Sequence, residues 1–141
     1  VKDKPEPIYK IRMAVSNDGL SWKKINRDLI ESRIEKDEAQ ASPDVFYSNG
    51  IYHMFFCYRK SEDFRGKKNG YRIGYAFSKN MIDWHRDDDK AGIDISSEGW
   101  DSEMISYPHV FEIDNEVYMA YLGNEVGKYG FGIAKLEGNL S

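Results

Sequence analysis

The strongest constraint on this chain is an internal repeat. The segment that begins at Pro43, PDVFYSNGIYHMFFCYR, matches the segment that begins at Pro108, PHVFEIDNEVYMAYLGNE. Phe46 and Phe111 are 65 positions apart, and one extra residue in the second turn would bring Tyr52 into correspondence with Tyr118. Self-similarity with a period of tens of residues is typical of propellers, solenoids and other repeat folds.

A second element occurs three times, and its last two copies follow the two segments above. It reads RMAVSNDGLSW at 12–22, RIGYAFSKNMIDW at 72–84 and FGIAKLEGNL at 131–140. Ala14 and Ala76 are 62 positions apart, and so are Trp22 and Trp84. The chain therefore reads as the end of one unit, a complete unit and the beginning of a third.

Each unit has the pattern of β-structure. Runs of β-branched and aromatic residues flank Ser-Asn-Gly, a hairpin turn signal because Asn and Gly tolerate positive φ; Asp114 to Glu116 takes that part in the second unit. The strands expected in the complete unit are Val45 to Ser48, Ile51 to Arg59, Tyr71 to Ser78 and a fourth around Trp84 to Arg86. Leu29 to Gln40 reads either as a short helix or as an irregular crossing, and we expect the crossing.

Four antiparallel strands in a unit of about 60 residues match the blade of a β-propeller. The sequence therefore predicts an all-β fold, a propeller fragment divided into the end of a blade (1–28), a complete blade with its crossing (29–95) and an incomplete blade (96–141). A ring needs at least four blades to close. We expect this piece to belong to a chain of about 300 residues, the alternative being copies that complete the ring together. We also expect apolar blade faces around Phe46, Phe55 and Tyr121 to be exposed and to drive self-association.

Composition excludes several kinds of partner. The net charge is −4 and the pI is near 5.4, with Lys and Arg spread among the acids, so nucleic acid is not expected. No apolar stretch is long enough to span a membrane, and the N-terminus lacks the apolar core of a signal peptide, so a cytoplasmic location is the default. The one cysteine, Cys57, lies in an aromatic run and is expected to be a buried apolar residue.

Several motifs carry a resemblance to a known family. The chain contains SNDGLSW, SPDVFYSNGIYHMFFCYR, GWDSEM, YPHVF and GFGIA in this order. Together they resemble the distant family-43-like glycoside hydrolases, five-bladed propellers of the arabinanase, xylosidase and fructosidase group. The resemblance implies a bacterial carbohydrate or sugar-containing ligand, carboxylate acid/base chemistry without a cofactor, and a Trp22 packed between blades. The alternatives are a non-catalytic carbohydrate-binding propeller and a structural or interaction propeller.

The catalytic acids of better-known relatives do not carry over directly. Those relatives place an acid just before the Pro of the first strand, where this chain has Ser42, Ser106 and Tyr107. Glycosidases need two carboxyl groups, one acid and one base or nucleophile. The remaining candidates for catalysis near the first strands are Glu103, Asp44 and Asp101.

Other residues near the first strands are candidates for sugar contacts. Trp100 offers a stacking surface, His109 follows Pro108 as Asp44 follows Pro43, and Arg59 and Arg65 frame a loop suited to acidic sugars. Tyr107 is a further candidate, and Asn124 and Glu125 would occupy the slots of Tyr58 and Arg59. No metal site is expected, because His53, His85 and His109 lack zinc-ligand spacing.

Overall fold

The computed structural model describes residues 6–140, which form nine short strands in three antiparallel sheets. The strands are β1 Met13–Val15, β2 Lys23–Ile25, β3 Ala39–Ser48, β4 Ile51–Arg59, β5 Arg72–Ser78, β6 His85–Arg86, β7 Ser106–Ile113, β8 Glu116–Leu122 and β9 Phe131–Lys135. Their order is β1-β2 in the first sheet, β3-β4-β5-β6 in the second and β7-β8-β9 in the third. The described helical segments are a 3-10 turn at Asp88–Lys90 and a turn at Asn124–Gly127. The prediction of an all-β chain is confirmed.

The two long hairpins have identical turns. Asn49 and Gly50 have φ of 51° and 80°, and Asp114 and Asn115 have φ of 52° and 64°, as two-residue hairpin turns require. Met54 pairs with Val45, and Met119 pairs with Val110. The offset between hairpins is therefore 65 throughout.

The extra residue expected in the second turn is therefore absent, and that prediction was wrong. The position of Tyr118 in the second hairpin is that of His53 in the first, since both pair with the matched Phe. Two tyrosines suggested the shift, but turn geometry sets the register of a hairpin.

The crossing before β3 is irregular, as expected, and a buried ion-pair network fixes it. Glu38 is fully buried and lies 2.6 Å from Arg86, which also contacts Asp88 at 2.8 Å. The other oxygen of Glu38 accepts hydrogen bonds from the amides of Arg33 and Ile34. Burial alone would raise the pKa of Glu38, but these hydrogen bonds hold that pKa below its ordinary value of 4.5.

The main core lies between the second and third sheets. The core residues are Phe55, Ile73, Tyr75, Ala91, Ile105, Val110 and Met119, with Phe46 and Tyr121 packed against them. The expectation that the faces around Phe46, Phe55 and Tyr121 are exposed was therefore wrong, because these two sheets cover one another. Exposed apolar residues include Phe131 and Ile133 of β9, the edge strand of the third sheet, at 68% and 59%.

The turns that follow β1 and β5 have the same hydrogen bonds but different surroundings. In the first turn Ser16 and Asp18 accept hydrogen bonds from backbone amides, and in the second Ser78 and Asn80 do so. Trp84 packs against Ile11, Ile30 and their neighbours, but Trp22 is 61% exposed. Trp22 is thus not packed between sheets of residues 6–140, and its packing between blades of a larger ring stays a prediction.

Candidate functional site

Each first strand is interrupted by the same bulge. In β3 the register shifts between Ala41 and Asp44, and in β7 it shifts between Ser106 and His109. Ser42 and Tyr107, which precede the two prolines, have φ of 51° and 53°. Bulges redirect side chains and are frequent beside active sites, and non-glycine residues at positive φ cluster at functional sites. We call Ser42–Asp44 and Tyr107–His109 the strand entrances.

Asp44 joins the two entrances. Its Oδ2 accepts a hydrogen bond from the Val110 amide at 2.5 Å, and its Oδ1 lies 3.5 Å from Nδ1 of His109. The side chain of Asp44 is 27% exposed and that of His109 is 67% exposed. The carboxylate thus fastens one sheet to the next and can orient an imidazole that solvent reaches. His109 also stacks on Phe111, with ring centroids 5.7 Å apart.

Asn124 holds the segment that precedes the second entrance. Its Oδ1 accepts hydrogen bonds from the amides of Glu103 at 2.8 Å and Met104 at 3.3 Å. Its Nδ2 donates to the carbonyl of Gly99 at 3.1 Å, and its side chain is buried. Glu103 is half-buried, and its backbone carbonyl accepts a hydrogen bond from Arg72 at 2.9 Å. Asn124 therefore fixes the backbone at Glu103 and Met104.

Asp101 and Trp100 pack against the third sheet. Asp101 is buried and accepts a hydrogen bond from the hydroxyl of Tyr121 at 3.3 Å; burial and this carboxylate raise the pKa of Tyr121. The ring of Trp100 stacks on Tyr121 at 5.5 Å and lies over Gly123 and Gly132. Trp100 therefore packs on residues of the third sheet and of the turn that follows β8.

Arg59 lies at the end of β4, opposite Ala39. It is only 3% exposed, its guanidinium lies 3.7 Å from the ring centroid of Phe64, and it donates hydrogen bonds to the carbonyls of Lys60 and Pro7. The common offset of 65 makes Asn124, rather than Glu125, the counterpart of Arg59. The expected correspondence of Asn124 with Tyr58 was therefore wrong by one position.

A group of tyrosines surrounds the second entrance. Tyr107 is 45% exposed. Burial, with the neighbouring Tyr71, Cys57 and Tyr9, raises its pKa. Cys57 is buried, as expected, and its own pKa is raised by burial. Sequence reasoning missed Tyr9, which is 49% exposed and whose carbonyl accepts a hydrogen bond from Gln40 at 2.8 Å. The offset of 62 that relates Trp22 to Trp84 also relates Tyr9 to Tyr71, so the repeat carried a signal for Tyr9 that was missed.

Arg65 lies on the outer rim. Its side chain is 79% exposed and is 3.6 Å from the carboxylate of Glu6. Within residues 6–140, no cluster of His, Cys, Asp and Glu side chains has the arrangement of a metal site. None of the helical segments in the same range could span a membrane.

Comparison with curated proteins identifies relatives but no family. No protein-family model matches the chain. An uncharacterized protein of Mycobacterium tuberculosis is 38% identical over 129 residues, which are 92% of this chain and 40% of that protein. A 1,2-beta-oligomannan phosphorylase of a Thermoanaerobacter species is 30% identical over 81 residues, which are 56% of this chain and 26% of that protein. The chain thus spans well under half the length of these relatives.

Solved structures show the fold. One named "Glycoside hydrolase" superposes with a TM-score of 0.70 at 19% identity, over 92% of this chain and 36% of that protein. A complex of BT0996 with RGII gives the same values. A mutant Bombyx mori GH32 beta-fructofuranosidase in complex with sucrose gives a TM-score of 0.57 at 16% identity, over 88% of this chain and 26% of that protein. The chain has the propeller fold of these glycoside hydrolases, and the propeller predicted from the repeat is confirmed.

Proposed function

We propose that this chain is part of a propeller that acts on a bacterial glycan or glycoconjugate at the strand entrances. One observation carries the proposal: matching bulges in neighbouring sheets bring Asp44 and His109 within 3.5 Å of each other. Glycoside-hydrolase-like folds and a relative named as an oligomannan phosphorylase support a carbohydrate ligand. The exposed rings of Tyr9 and Tyr107 offer surfaces on which sugars can pack.

In this proposal the chemistry is acid/base catalysis by carboxyl groups. Glu103, whose backbone amide is bonded to Asn124, is the candidate proton donor. Asp44, one oxygen of which is held by the Val110 amide, orients His109, whose other ring nitrogen faces the ligand. Asp101 is the third candidate acid. Trp100, Arg59 and Arg65 complete the proposed contact set.

The larger context is part of the same proposal. The relatives are more than twice as long as this chain. We assign 1–28, 29–95 and 96–141 to the end of one blade, a complete blade and an incomplete blade of a five-bladed, family-43-like ring. The two-stranded, four-stranded and three-stranded sheets fit this division.

A second function is a non-catalytic carbohydrate-binding propeller. It is favoured by the hydrogen bond of Asp44 to the Val110 amide, because that carboxylate already has a structural use. It is also favoured by the absence of a carboxyl group at Ser42, Ser106 and Tyr107.

Turnover and binding assays on Glu103→Gln and Asp44→Asn separate the two functions. Wild-type protein is screened against a broad glycan panel, with and without inorganic phosphate because one relative is named a phosphorylase. Loss of turnover with retained binding supports the enzyme, and the matched variant Glu98→Gln should behave as wild type. Glycan binding without turnover by wild type supports the binding propeller. Wild-type protein that neither binds nor cleaves any glycan contradicts both.

A further inference from the structure

Arg59 is a buried cation without an anionic partner among the described residues. Its guanidinium is nearly inaccessible, yet no carboxylate of residues 6–140 lies within ion-pair distance of it. Its Nε lies buried without a hydrogen-bond acceptor in the same part of the chain. The rings of Phe64 and Tyr71, 3.7 and 5.5 Å from the guanidinium, offset part of the cost of burial. Burying a cation without a counter-ion costs free energy, so binding of an anion at such a site is favourable.

Further positive charges follow Arg59 in the sequence. Residues 59–72 contain six Lys or Arg residues and two acids, although the whole chain has a net charge of −4. Arg65 is paired with Glu6 and Arg72 with Asp94, so the cations of residues 59–72 that have no ion pair among residues 6–140 are Arg59 itself and the lysines of the segment. Lys67 and Lys68 are exposed, and Arg65 is 79% exposed. A local excess of one charge in a chain of opposite net charge concentrates ligands of the complementary sign.

The basic segment, residues 60–68, directly follows Arg59, which is on the same strand as the partners of the first strand entrance. Arg59 pairs with Ala39, Cys57 with Ala41 and Phe55 with Asp44, so Arg59 shares a sheet face with Phe55, Cys57 and Asp44. Arg59 is four residue steps along β4 from Phe55, the partner of Asp44, which places the cation about 13 Å from Asp44 along the strand. A group bound near Arg59 would thus sit to one side of the proposed reacting bond.

We propose that the ligand of the strand entrances is an acidic glycan, whose carboxylate or phosphate group binds at Arg59 and the basic segment 60–68. The inference rests on the proposed function, since it names the substrate class of the same site. Phe64, half-buried over the guanidinium, would move aside to admit the anion or remain as one wall of its site.

Matched lysine pairs test the proposal without disturbing the core. Lys67→Gln/Lys68→Gln removes two charges from the basic segment, and Lys23→Gln/Lys24→Gln removes two equally exposed charges from β2. The probes are carboxylated, phosphorylated and neutral oligosaccharides of the same backbone, together with glucuronate and inorganic phosphate. We expect the first pair to weaken binding of charged oligosaccharides by about tenfold in low salt, the second pair to leave it within about twofold, and added salt to reduce the difference.

Arg59→Met should weaken binding of charged oligosaccharides more than Lys67→Gln/Lys68→Gln does. If Arg59→Met does not fold, the double lysine variant still tests the proposal. Comparison of the carboxylated and phosphorylated probes identifies the anion. Equal affinity for neutral and charged oligosaccharides would overturn this inference and leave the proposed function standing. Binding of glucuronate or phosphate without any oligosaccharide would keep the anion site and contradict the proposed function. No binding of any probe would overturn both.

Discussion

The carboxylate of Asp44 and the backbone amide of Val110 lie 2.5 Å apart and join two sheets through residues 66 positions apart in sequence. The amide belongs to a buried residue of the core between those sheets. Asp44 therefore has a structural role whatever its part in chemistry.

Asp44→Ala should destabilise the protein by about 1–3 kcal/mol, because it leaves the buried Val110 amide without an acceptor. Asp44→Asn retains an oxygen at the same place and should cost less. Urea unfolding of both variants, with the exposed Asp89→Ala as control, measures the difference. Equal stability of all three variants would show that this hydrogen bond contributes nothing.

Arg86 should be among the residues most sensitive to substitution. Arg86→Met leaves Glu38 buried without its charged partner, and breaking a buried pair in this way costs about 3–5 kcal/mol. The control is Arg27→Met, whose ion pair with Asp83 is exposed and should be worth less than about 1 kcal/mol. Thermal unfolding of the two variants should separate them clearly, and similar midpoints would contradict the role of the network.

The same network predicts a pH dependence. The pKa of folded Glu38 is below its ordinary value of 4.5, so its contribution to stability is fully present above pH 4.5 and is lost as the pH falls through the folded pKa. Glu38→Gln should be less stable than wild type at pH 7, and the gap should narrow below pH 4.5. Unfolding free energies measured from pH 7 to pH 3 test this, and a gap that stays constant over that range would refute it.

Gly132→Ala should destabilise the third sheet, because its new Cβ would lie 2.6 Å from the ring of Trp100. Overpacking of this kind costs about 1–3 kcal/mol. Gly66→Ala is the matched control, since a Cβ there meets nothing within 4 Å. Differential scanning calorimetry should show a lower midpoint for the first variant alone, and unchanged tryptophan fluorescence in Gly132→Ala would argue against the contact.

The turn at Asp18 should tolerate Asn but not Ala. Asp18 accepts hydrogen bonds from the amides of Ser21 and Leu20, which lower its pKa to about 2, and Asn80 makes the equivalent bonds in the second copy. In wild type the contribution of the charged form is present above the ordinary pKa of 3.8 and is lost as the pH falls through about 2. Hydrogen exchange at Leu20 and Ser21 should accelerate in Asp18→Ala and remain slow in Asp18→Asn.

Much of the fold was readable from the sequence, because its signals are local or periodic. Asn49-Gly50 specifies a two-residue turn, alternation specifies the strands, and a 65-residue offset relates Pro43 to Pro108. The irregular crossing before β3 and the buried Cys57 were likewise predicted correctly. One prediction failed because it relied on residue identity rather than on turn geometry. It matched Tyr52 with Tyr118, but the equal turn lengths make His53 the residue that corresponds to Tyr118.

The repeat, the strands and the residues near each first strand follow from the sequence alone, since propensity and turn chemistry act over a few neighbouring positions. Which of those residues meet depends on tertiary packing. It brought Asp44 to Val110 and His109, Asn124 to Glu103, and Trp100 to Gly132, and it buried Arg59 without a carboxylate from residues 6–140. These contacts depend on how one sheet packs on the next and on two bulges that redirect the chain, and no local pattern in the sequence encodes either.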